Sequence, residues 1–305
     1  MVDIVIVNWN SGDYLSKCIQ SVLLESNLKI IGQILIIDNN SSDNSIDLVP
    51  SHSKIFIVEN KINLGFAKAC NQGFSLCNET HTLLLNPDAQ LLDKTLSECI
   101  SFMEENTSVD ILGVSLLDDN GKITHSCARF PSPIRYFYDA LGLSKIAPKI
   151  FHPAILMTDW DHKESKKVDQ VMGAFMFMRN SIFKKLGYFD ERFFVYYEEL
   201  DFSKRLVESG GISYFNHSIK AIHSGQGTTS KVKSFRLFLN LRSRLQYAKK
   251  HFNFLGYSVV WFCTFFIEIF TRNVLLLLKG NFKEIKNVFK AYALLIKIKK
   301  IKYDI

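Results

Sequence analysis

The sequence predicts an α/β fold, in which a mostly parallel β-sheet carries helices on both faces and a basic helical appendage follows. Two observations support this prediction. Short β-branched runs alternate with segments of helical spacing in the first part of the chain, which is the order that builds parallel sheets. The 305 residues are 47% hydrophobic and 22% charged, a composition that fills a core and excludes a disordered chain or a coiled coil.

Four strands are predicted in the first third of the chain, because four short apolar runs each end in polar residues. These runs occupy residues 4–7, 34–37, 55–58 and 82–85. Apolar residues at helical spacing predict a helix over residues 13–24, and a second helix follows the turn at 63–66.

The rest of the chain is less regular. Four prolines predict a loop-rich stretch over residues 128–168. Further strands are predicted at 111–117, 173–178, 212–215 and 221–222, and helices at 180–186 and 198–209. From residue 231 onward the pattern is helical. We therefore expect a domain over residues 1–230 and a helical C-terminal region over residues 231–305.

Charge divides the chain at the same place. Residues 231–305 hold 16 lysines and arginines against three acidic residues, whereas residues 1–230 hold 21 against 27. Apolar residues between these basic ones fit an interfacial helix on an anionic membrane surface better than a nucleic-acid contact. A solvated helix face with a homodimer contact is the alternative. The longest apolar stretch, residues 254–267, has 14 residues, fewer than the ~20 of a membrane-spanning helix, so we expect it to lie on a membrane or pack on the body.

The cysteines and the N-terminus indicate an intracellular location. The six cysteines form no C-x-x-C pair, which disfavours a disulfide scaffold or a zinc ribbon and fits a reducing compartment. Met1 leads directly into an apolar run without a basic start or a cleavage site, so no secretion signal is expected.

Polar side chains follow three of the predicted strands. They are Asn8 and Asn10, Asp38 and Asn39, and Asn86 and Asp88. Because ligands bind at the carboxyl ends of parallel strands, we expect these residues to form one rim. Asn and Asp are also common turn and N-cap residues, which is the alternative for each pair.

The nucleotide-binding glycine motifs are missing. The sequence has no G-x-G-x-x-G and no G-x-x-x-x-G-K-[ST], which disfavours classical dinucleotide binding and P-loop chemistry. A nucleotide would instead be held by side chains such as Asp38. Asp88, which follows the rigid Pro87, suits a hard divalent cation shared with a substrate diphosphate, with a turn cap as the alternative.

An acidic cluster emerges from an aromatic segment at residues 193–197. Glu198, Glu199 and Asp201 follow it, and a carboxylate against apolar surface has a raised pKa that suits a general base. On a helix, Glu198 and Asp201 share a face while Glu199 points about 100° away. A favourable acidic first turn is the alternative. His223 begins a loop over residues 223–230 that could complete a metal site or close over a diphosphate, or it could be structural.

Several motifs resemble those of family 2 glycosyltransferases, and most closely the bacterial rhamnosyltransferase-like branch that builds O-antigen and cell-wall polysaccharide. The resemblance covers residues 1–230. The motifs come in the family order, at residues 5–10, 37–43, 63–67, 85–88 and 193–206.

The resemblance implies a GT-A fold, a nucleotide-sugar donor, a divalent metal (Mg²⁺ or Mn²⁺) and inversion at the anomeric carbon. It places Asp38 and Asn8 at the pyrimidine base and Asp88 and His223 at the metal or diphosphate. Glu199 becomes the catalytic base, with Glu198 as the second candidate, and Gly173 lines the acceptor side. The remaining substrate-binding candidates are Asn10, Asn39, Asn63, Gly65, Asn71, Asn86 and Asp201.

The resemblance also implies a reaction. We expect a cytoplasmic enzyme, peripheral on the inner face of the bacterial cell membrane, that moves L-rhamnose from dTDP-rhamnose onto a lipid-linked saccharide. One alternative keeps the reaction with a UDP-hexose or UDP-N-acetylhexosamine donor. Another is a sugar-nucleotide or membrane-binding module without turnover.

Overall fold

The computed structural model describes residues 1–225 and 233–297. Among these residues, nine strands form a central sheet in the order β3-β2-β1-β4-β10-β6-β11-β5, with β8 paired to β11, and β7 and β9 form a separate pair. The strands are β1 (Val2–Asn8), β2 (Ile31–Asp38), β3 (Ile55–Glu59), β4 (His81–Leu85), β5 (Ala89–Leu91), β6 (Ile111–Leu117), β7 (Cys127–Ala128), β8 (Lys166–Val168), β9 (Gln170–Val171), β10 (Phe175–Arg179) and β11 (Ser213–His223).

The N-terminal half of the sheet is parallel, as predicted. β1 pairs in parallel with both β2 and β4, and β2 with β3. The register sets Asn8 opposite Asp38, so the carboxyl ends of β1 and β2 lie side by side. The other half is mixed, because β10 runs antiparallel between β4 and β6. The two late strands predicted at 212–215 and 221–222 are one strand, β11, with an irregularity between Asn216 and Lys220.

Helices cover both faces of this sheet, which confirms the α/β prediction. Successive side chains of β1 point to opposite faces, so Ile4 packs in the core of one face with Leu15, and Val5 in the core of the other with Phe74. The helices of the body are α1 (Asp13–Val22), α2 (Glu25–Leu28), α3 (Phe66–Leu76), α4 (Thr95–Glu105), α5 (Pro133–Leu141), α6 (Leu143–Ile146), α7 (Ser181–Leu186) and α8 (Glu198–Glu208).

The C-terminal region is helical, as predicted, and one of its helices is longer than predicted. It contains α9 (Lys233–His251), α10 (Phe254–Phe262), a π-helical segment (Cys263–Glu268), α11 (Ile269–Leu278) and α12 (Phe282–Ile296). α10, the π segment and α11 are continuous, so that 25 residues form one helix long and apolar enough to cross a membrane by length and composition alone. We call it the long apolar helix.

The expectation that this stretch is too short to span a membrane was therefore wrong. Glu268 ended the apolar run in the sequence, but its carboxylate is buried and paired with Arg244 of α9 and with Arg272 one turn later. Because the charges of Glu268 and Arg272 are paired, the helix continues through these two residues.

The C-terminal helices share their hydrophobic contacts with the body. Phe194 packs with Phe238 of α9, and Tyr197 packs with Tyr247. The division at residue 230 remains a prediction, since that boundary lies outside the described residues. Other predicted features also lie outside the described residues: the loop residues 226–230, and Lys299, Lys300 and Lys302 of the predicted basic tail.

Candidate active site

A cavity of about 390 Å³ opens at the carboxyl ends of β1 and β4. Residues from distant parts of the chain line it, and they include six of the predicted site residues besides the two glutamates of α8. Those six are Asn39, Asn63, Gly65, Asn86, Asp88 and Gly173. The sheet therefore brings half of the predicted rim, namely Asn39, Asn86 and Asp88, into one cavity with the glutamates of α8.

Asn8, Asp38 and Asn10 build a turn beside this cavity and do not line it. The Asn8 amide donates to Asp38 Oδ1 at 2.8 Å, and the Ser41 hydroxyl donates to the same oxygen at 2.6 Å. Asn10 Oδ1 accepts from the backbone N–H of Ser42 at 2.7 Å. The cavity wall at this end is formed by their neighbours in the chain, Val7 of β1 and Trp9 just after it.

Three of the predicted residues form a hydrogen-bonded loop in the wall. The Asn39 amide donates to Asn63 Oδ1 at 2.8 Å, and Asn63 Oδ1 also accepts from the Gly65 N–H at 2.9 Å. Gly65 has φ +86°, and a Cβ there would lie 2.5 Å from the carbonyl oxygen of Phe194. Only glycine allows this approach, which joins the loop to the segment before α8.

Asp88 lines the cavity, and His223 lies beside Asp88 without lining the cavity itself. His223 Nε2 lies 3.3 Å from Asp88 Oδ1, and β5 and β11 fix the pair because His223 is in register with Ala89. One carboxylate oxygen and one imidazole nitrogen beside open space fit a divalent cation whose other positions are filled by substrate oxygens. The described residues contain no group of three or more metal-ligating side chains, so the protein would supply only part of such a coordination shell.

Glu198 and Glu199 both line the cavity at the start of α8. The preceding residues, Tyr196 and Tyr197, have φ values of +69° and +73°. The left-handed region is rarely adopted by bulky residues, and such strain is concentrated at functional sites. The strained turn places Glu198 and Glu199, the first two residues of the helix, at the cavity. The spacing in the sequence had instead predicted that Glu198 shares a helix face with Asp201.

Burial sets the protonation of this pair. It raises the pKa of Glu198 well above its usual range, and the charge of Glu199 raises it further. Burial also raises the pKa of Glu199, but hydrogen bonds from backbone N–H groups, including that of Gly173, and from Glu198 oppose the rise. Both pKa values are therefore raised, and burial together with the neighbouring charge favours a proton on Glu198 over one on Glu199.

A second cavity, of about 170 Å³, lies on the other side of Glu199. Glu199, Met172 and Tyr196 line both cavities. Two side chains of the second cavity, Gln170 and Ser126, are buried, and Gln170 Oε1 and Ser126 Oγ have no hydrogen-bond partner among the described residues. Glu199 thus has a cavity on each side, and the smaller one offers polar atoms to an occupant.

Asn71 and Asp201, which the sequence predicted to bind substrate, have other partners and do not line either cavity. Asn71 exchanges two hydrogen bonds with the backbone of Phe189. Asp201 is buried, and its carboxylate is bonded to Arg205, Lys250 and His251. Both side chains hold elements of the fold together.

Several lining residues were not predicted. Trp9 belongs to the motif at residues 5–10 but was not among the predicted site residues. α9 contributes Phe235, Arg236 and Leu239. Arg236 was counted only as part of the basic region. The pairing of basic and apolar residues on α9 was visible in the sequence, but nothing there showed that the helix folds back over the cavity.

Comparisons with known proteins agree with this architecture. Residues 3–187 match the family model for glycosyl transferase family 2. The chain is 25% identical over 248 residues to a low-salt glycan biosynthesis hexosyltransferase of Haloferax volcanii, covering 80% of this chain and 74% of the relative. It is 23% identical over 243 residues to an N-acetylglucosaminyl-diphospho-decaprenol L-rhamnosyltransferase of Mycobacterium tuberculosis, covering 76% and 78%.

Solved structures show the same fold. A mannosyltransferase from Pyrobaculum calidifontis, in complex with GDP-Man and Mn²⁺, superposes with a TM-score of 0.57 at 11% identity, over 98% of this chain and 88% of that one. GalNAc-T7 with UDP, GalNAc and Mn²⁺ gives a TM-score of 0.53 at 12% identity, over 82% and 51%. The fold is therefore GT-A, and the protein is a glycosyltransferase. The chain belongs to glycosyl transferase family 2.

Proposed function

We propose that this glycosyltransferase moves a sugar from a nucleotide-sugar donor onto a hydroxyl of a lipid-linked saccharide, with inversion at the anomeric carbon. The observation that carries the proposal is that Glu199 lines two neighbouring cavities, the larger of which is also lined by Asp88, with His223 Nε2 3.3 Å from the Asp88 carboxylate. A base placed between donor and acceptor is what a single displacement requires.

The larger cavity would hold the donor. Asp88 and His223 would hold a divalent cation beside the diphosphate, with Asn86 nearby. When bound, such a cation neutralises charge that develops on the leaving diphosphate. Arg236 adds a positive side chain to a wall that otherwise carries the carboxylates of Asp88, Glu198 and Glu199.

The smaller cavity would hold the acceptor sugar. Its unpartnered atoms, Gln170 Oε1 and Ser126 Oγ, are suited to hydrogen bonds with sugar hydroxyls. Glu199 takes the proton of the attacking hydroxyl while the oxygen of that hydroxyl bonds to the anomeric carbon. The bond from that carbon to the diphosphate breaks on the opposite face, so the configuration inverts.

We propose dTDP-L-rhamnose as the donor and a polyprenyl-diphosphate saccharide as the acceptor. The M. tuberculosis relative named above supports this choice, and so does the rhamnosyltransferase WbbL of Escherichia coli, at 24% identity over 260 residues. A UDP-hexose or UDP-N-acetylhexosamine donor is the second candidate, favoured by the hexosyltransferase name of the Haloferax relative. A lipid-linked acceptor would bring the enzyme to a membrane, and we propose that it works at the cytoplasmic face.

The donor is tested by a screen of sugar nucleotides. Release of nucleoside diphosphate is measured with Mg²⁺, with Mn²⁺ and with chelator, using dTDP-rhamnose, UDP-glucose and UDP-N-acetylglucosamine. We expect release from dTDP-rhamnose that depends on a divalent cation. Release from a UDP sugar alone would replace the donor and keep the reaction.

The reaction is tested with Glu199→Gln, which removes the base and keeps the shape. We expect kcat to fall about 10²–10⁴-fold, while donor affinity, measured by calorimetry, stays within about twofold. Transfer at the wild-type rate would remove Glu199 from the mechanism. Donor binding by the wild-type protein without any transfer to lipid-linked or soluble acceptors would favour the non-catalytic module.

A further inference from the structure

The long apolar helix exposes its apolar side and buries its carboxylate, which is the reverse of the arrangement in a helix that faces water. Its outward residues recur at helical spacing and are apolar, and Phe270 is 68% and Leu278 80% exposed. Its one carboxylate, Glu268, points inward, where Arg272 Nε donates to it at 2.7 Å. A water-facing helix buries its apolar side instead. The exposed outward residues are Leu255, Val259, Phe262, Phe266, Phe270 and Leu277.

α12 adds a row of cations beside this surface. Three exposed lysines of α12 are spaced by three or four residues, one exposed lysine flanks each end of the helix, and exposed apolar residues lie next to them. The opposite side of α12 is buried through residues that include Ala291 and Tyr292. The lysines are Lys279, Lys283, Lys286, Lys290 and Lys297, and the apolar residues are Phe282, Phe289 and Ile296.

The body of the molecule continues the same surface. α5 lies along the long apolar helix, because the Thr271 hydroxyl donates to the Ala140 carbonyl at 2.7 Å and a Cβ at Gly256 would lie 3.0 Å from Pro133. The segment after α5 exposes Ile146 by 81% and Ile150 by 73%. Lys145 and Lys149 are exposed beside them.

We propose that these three segments form one face that binds an anionic lipid bilayer without spanning it. The face consists of the outward residues of the long apolar helix, the exposed residues of α12, and Ile146 and Ile150 with their neighbouring lysines. Exposed aromatic and aliphatic groups bordered by lysines match a bilayer interface, where apolar groups enter the acyl boundary and lysines meet lipid phosphates.

The geometry favours a surface-bound helix over a spanning one. The inward side of the long apolar helix is buried against the protein through Gly256, Val260, Cys263 and Glu268, and it contacts α5, α9 and α12. A helix held along the body in this way cannot be surrounded by lipid. A second copy of the chain is disfavoured as the occupant, because two such faces would bring their lysine rows together.

The inference rests on the proposed function only for the lipid-linked acceptor, and vesicle binding is measured without donor or acceptor. The two can therefore fail separately. The full-length protein is co-sedimented with vesicles of phosphatidylcholine and with vesicles of phosphatidylcholine and phosphatidylglycerol in equal parts. We expect at least about tenfold stronger binding to the anionic vesicles at low salt, which falls as salt is added.

Two pairs of substitutions test the apolar part of the face. Phe266→Glu with Phe270→Glu alters the long helix, and Ile146→Glu with Ile150→Glu alters the body. We expect each pair to lower binding at least about tenfold. The matched control is Phe56→Glu with Ile62→Glu, at apolar residues of similar exposure near the opposite edge of the sheet. Circular dichroism checks that each variant is folded.

Charge reversal and extraction complete the test. Lys283→Glu with Lys290→Glu should weaken binding to anionic vesicles, whereas Lys29→Glu with Lys122→Glu should not. Alkaline carbonate should release the full-length protein from the membranes of expressing cells. The proposal is overturned if the protein stays in the membrane after carbonate treatment, or if the face variants and the control variants bind vesicles equally. It is also overturned if the wild-type protein binds no vesicles and substitutions in the face dissociate a dimer.

Discussion

Glu198 and Glu199 are sequence neighbours with different surroundings. Glu199 accepts a hydrogen bond from the Gly173 N–H, whereas Glu198 is buried and its Oε2 has no hydrogen-bond partner among the described residues. A proton on Glu198 relieves the repulsion between the two carboxylates and donates toward Glu199. Glu198 therefore acts by keeping Glu199 ionised and oriented.

This difference predicts opposite outcomes for two substitutions of Glu198. Glu198→Gln keeps a neutral donor, so the acid limb of the kcat/KM–pH profile should stay within about half a pH unit of the wild-type limb. Glu198→Ala removes the hydrogen bond that lowers the pKa of Glu199, so its acid limb should move to higher pH. The direction follows because a group that is ionised less easily becomes an active base only at higher pH.

Initial rates between pH 5 and 9 with saturating acceptor measure both profiles. Equal shifts in the two variants would mean that Glu198 contributes only volume. A loss of activity in Glu198→Gln as large as that in Glu199→Gln would instead make Glu198 the base.

Residue types at strand ends predicted the acidic part of the site but not its walls. Asp88 was predicted because a carboxylate after a buried strand and a rigid proline suits a divalent cation, and Glu199 because it follows an aromatic segment in a motif of the family; both line the cavity. Asp38 was also predicted from its position after a strand, yet its oxygens are occupied by the turn that follows β2. Whether a carboxylate closes its own turn depends on backbone angles, which the residue type does not reveal. Arg236 was missed because its position depends on how α9 packs.

At the scale of single elements, the loop before α3 decides how the cavity is closed. Gly65 places its backbone against Phe194, and the Phe66 N–H donates to the Phe194 carbonyl at 2.6 Å. The loop therefore holds the segment before α8, and with it the start of the helix that carries Glu198 and Glu199.

Gly65→Ala should destabilise the protein more than a glycine substitution with backbone strain alone. The added Cβ meets Phe194 at a residue that also needs a left-handed backbone, so we expect a loss of about 2–4 kcal/mol in urea unfolding. Gly210→Ala is the matched control, because Gly210 has φ +85° and no heavy atom within 4 Å of its added Cβ. It should lose only about 1 kcal/mol. Equal losses would mean that the contact with Phe194 relaxes freely.

Apolar runs located most elements correctly, and failed where a neighbour changed the pattern. β1, β2 and β4 are short apolar runs that are mostly buried, and β3 is a more exposed edge strand; the short run and the polar residues at its end identified each of them. The long apolar helix was cut short in the prediction because Glu268 looked like an exposed end. Its partner Arg244 lies 24 positions earlier in the chain, and a one-dimensional pattern does not show such a pair.

At the scale of the whole molecule, Asp201 joins α8 to α9. Burial raises the pKa of this carboxyl, but hydrogen bonds and charges from His251, Lys250 and Arg205 outweigh it and hold the pKa below the usual value. A lowered pKa in the folded state contributes stability above the unfolded pKa, and this stability is lost as the pH falls through the folded value.

Asp201→Asn should therefore destabilise the protein by about 3–5 kcal/mol at pH 7, because Arg205 and Lys250 lose a buried ionic partner and His251 loses a hydrogen-bond partner. The difference from wild type should shrink below pH 4. Urea unfolding at pH 7 and at pH 3.5 measures both, with the exposed Asp47→Asn as control. Donor KM in the folded variant should be unchanged, and a large rise in KM would return Asp201 to the substrate-binding residues.

The contacts of α9 decide how this protein can be shortened. Leu239 lines the larger cavity, and Phe238 and Tyr247 are buried against the segment that leads into α8. In a fragment ending before α9, the cavity would be open to water and the apolar surface of the body that α9 covers would be exposed. We expect such a fragment to be recovered as aggregates without transferase activity, so a soluble enzyme is better sought by substituting outward-facing apolar side chains than by truncation.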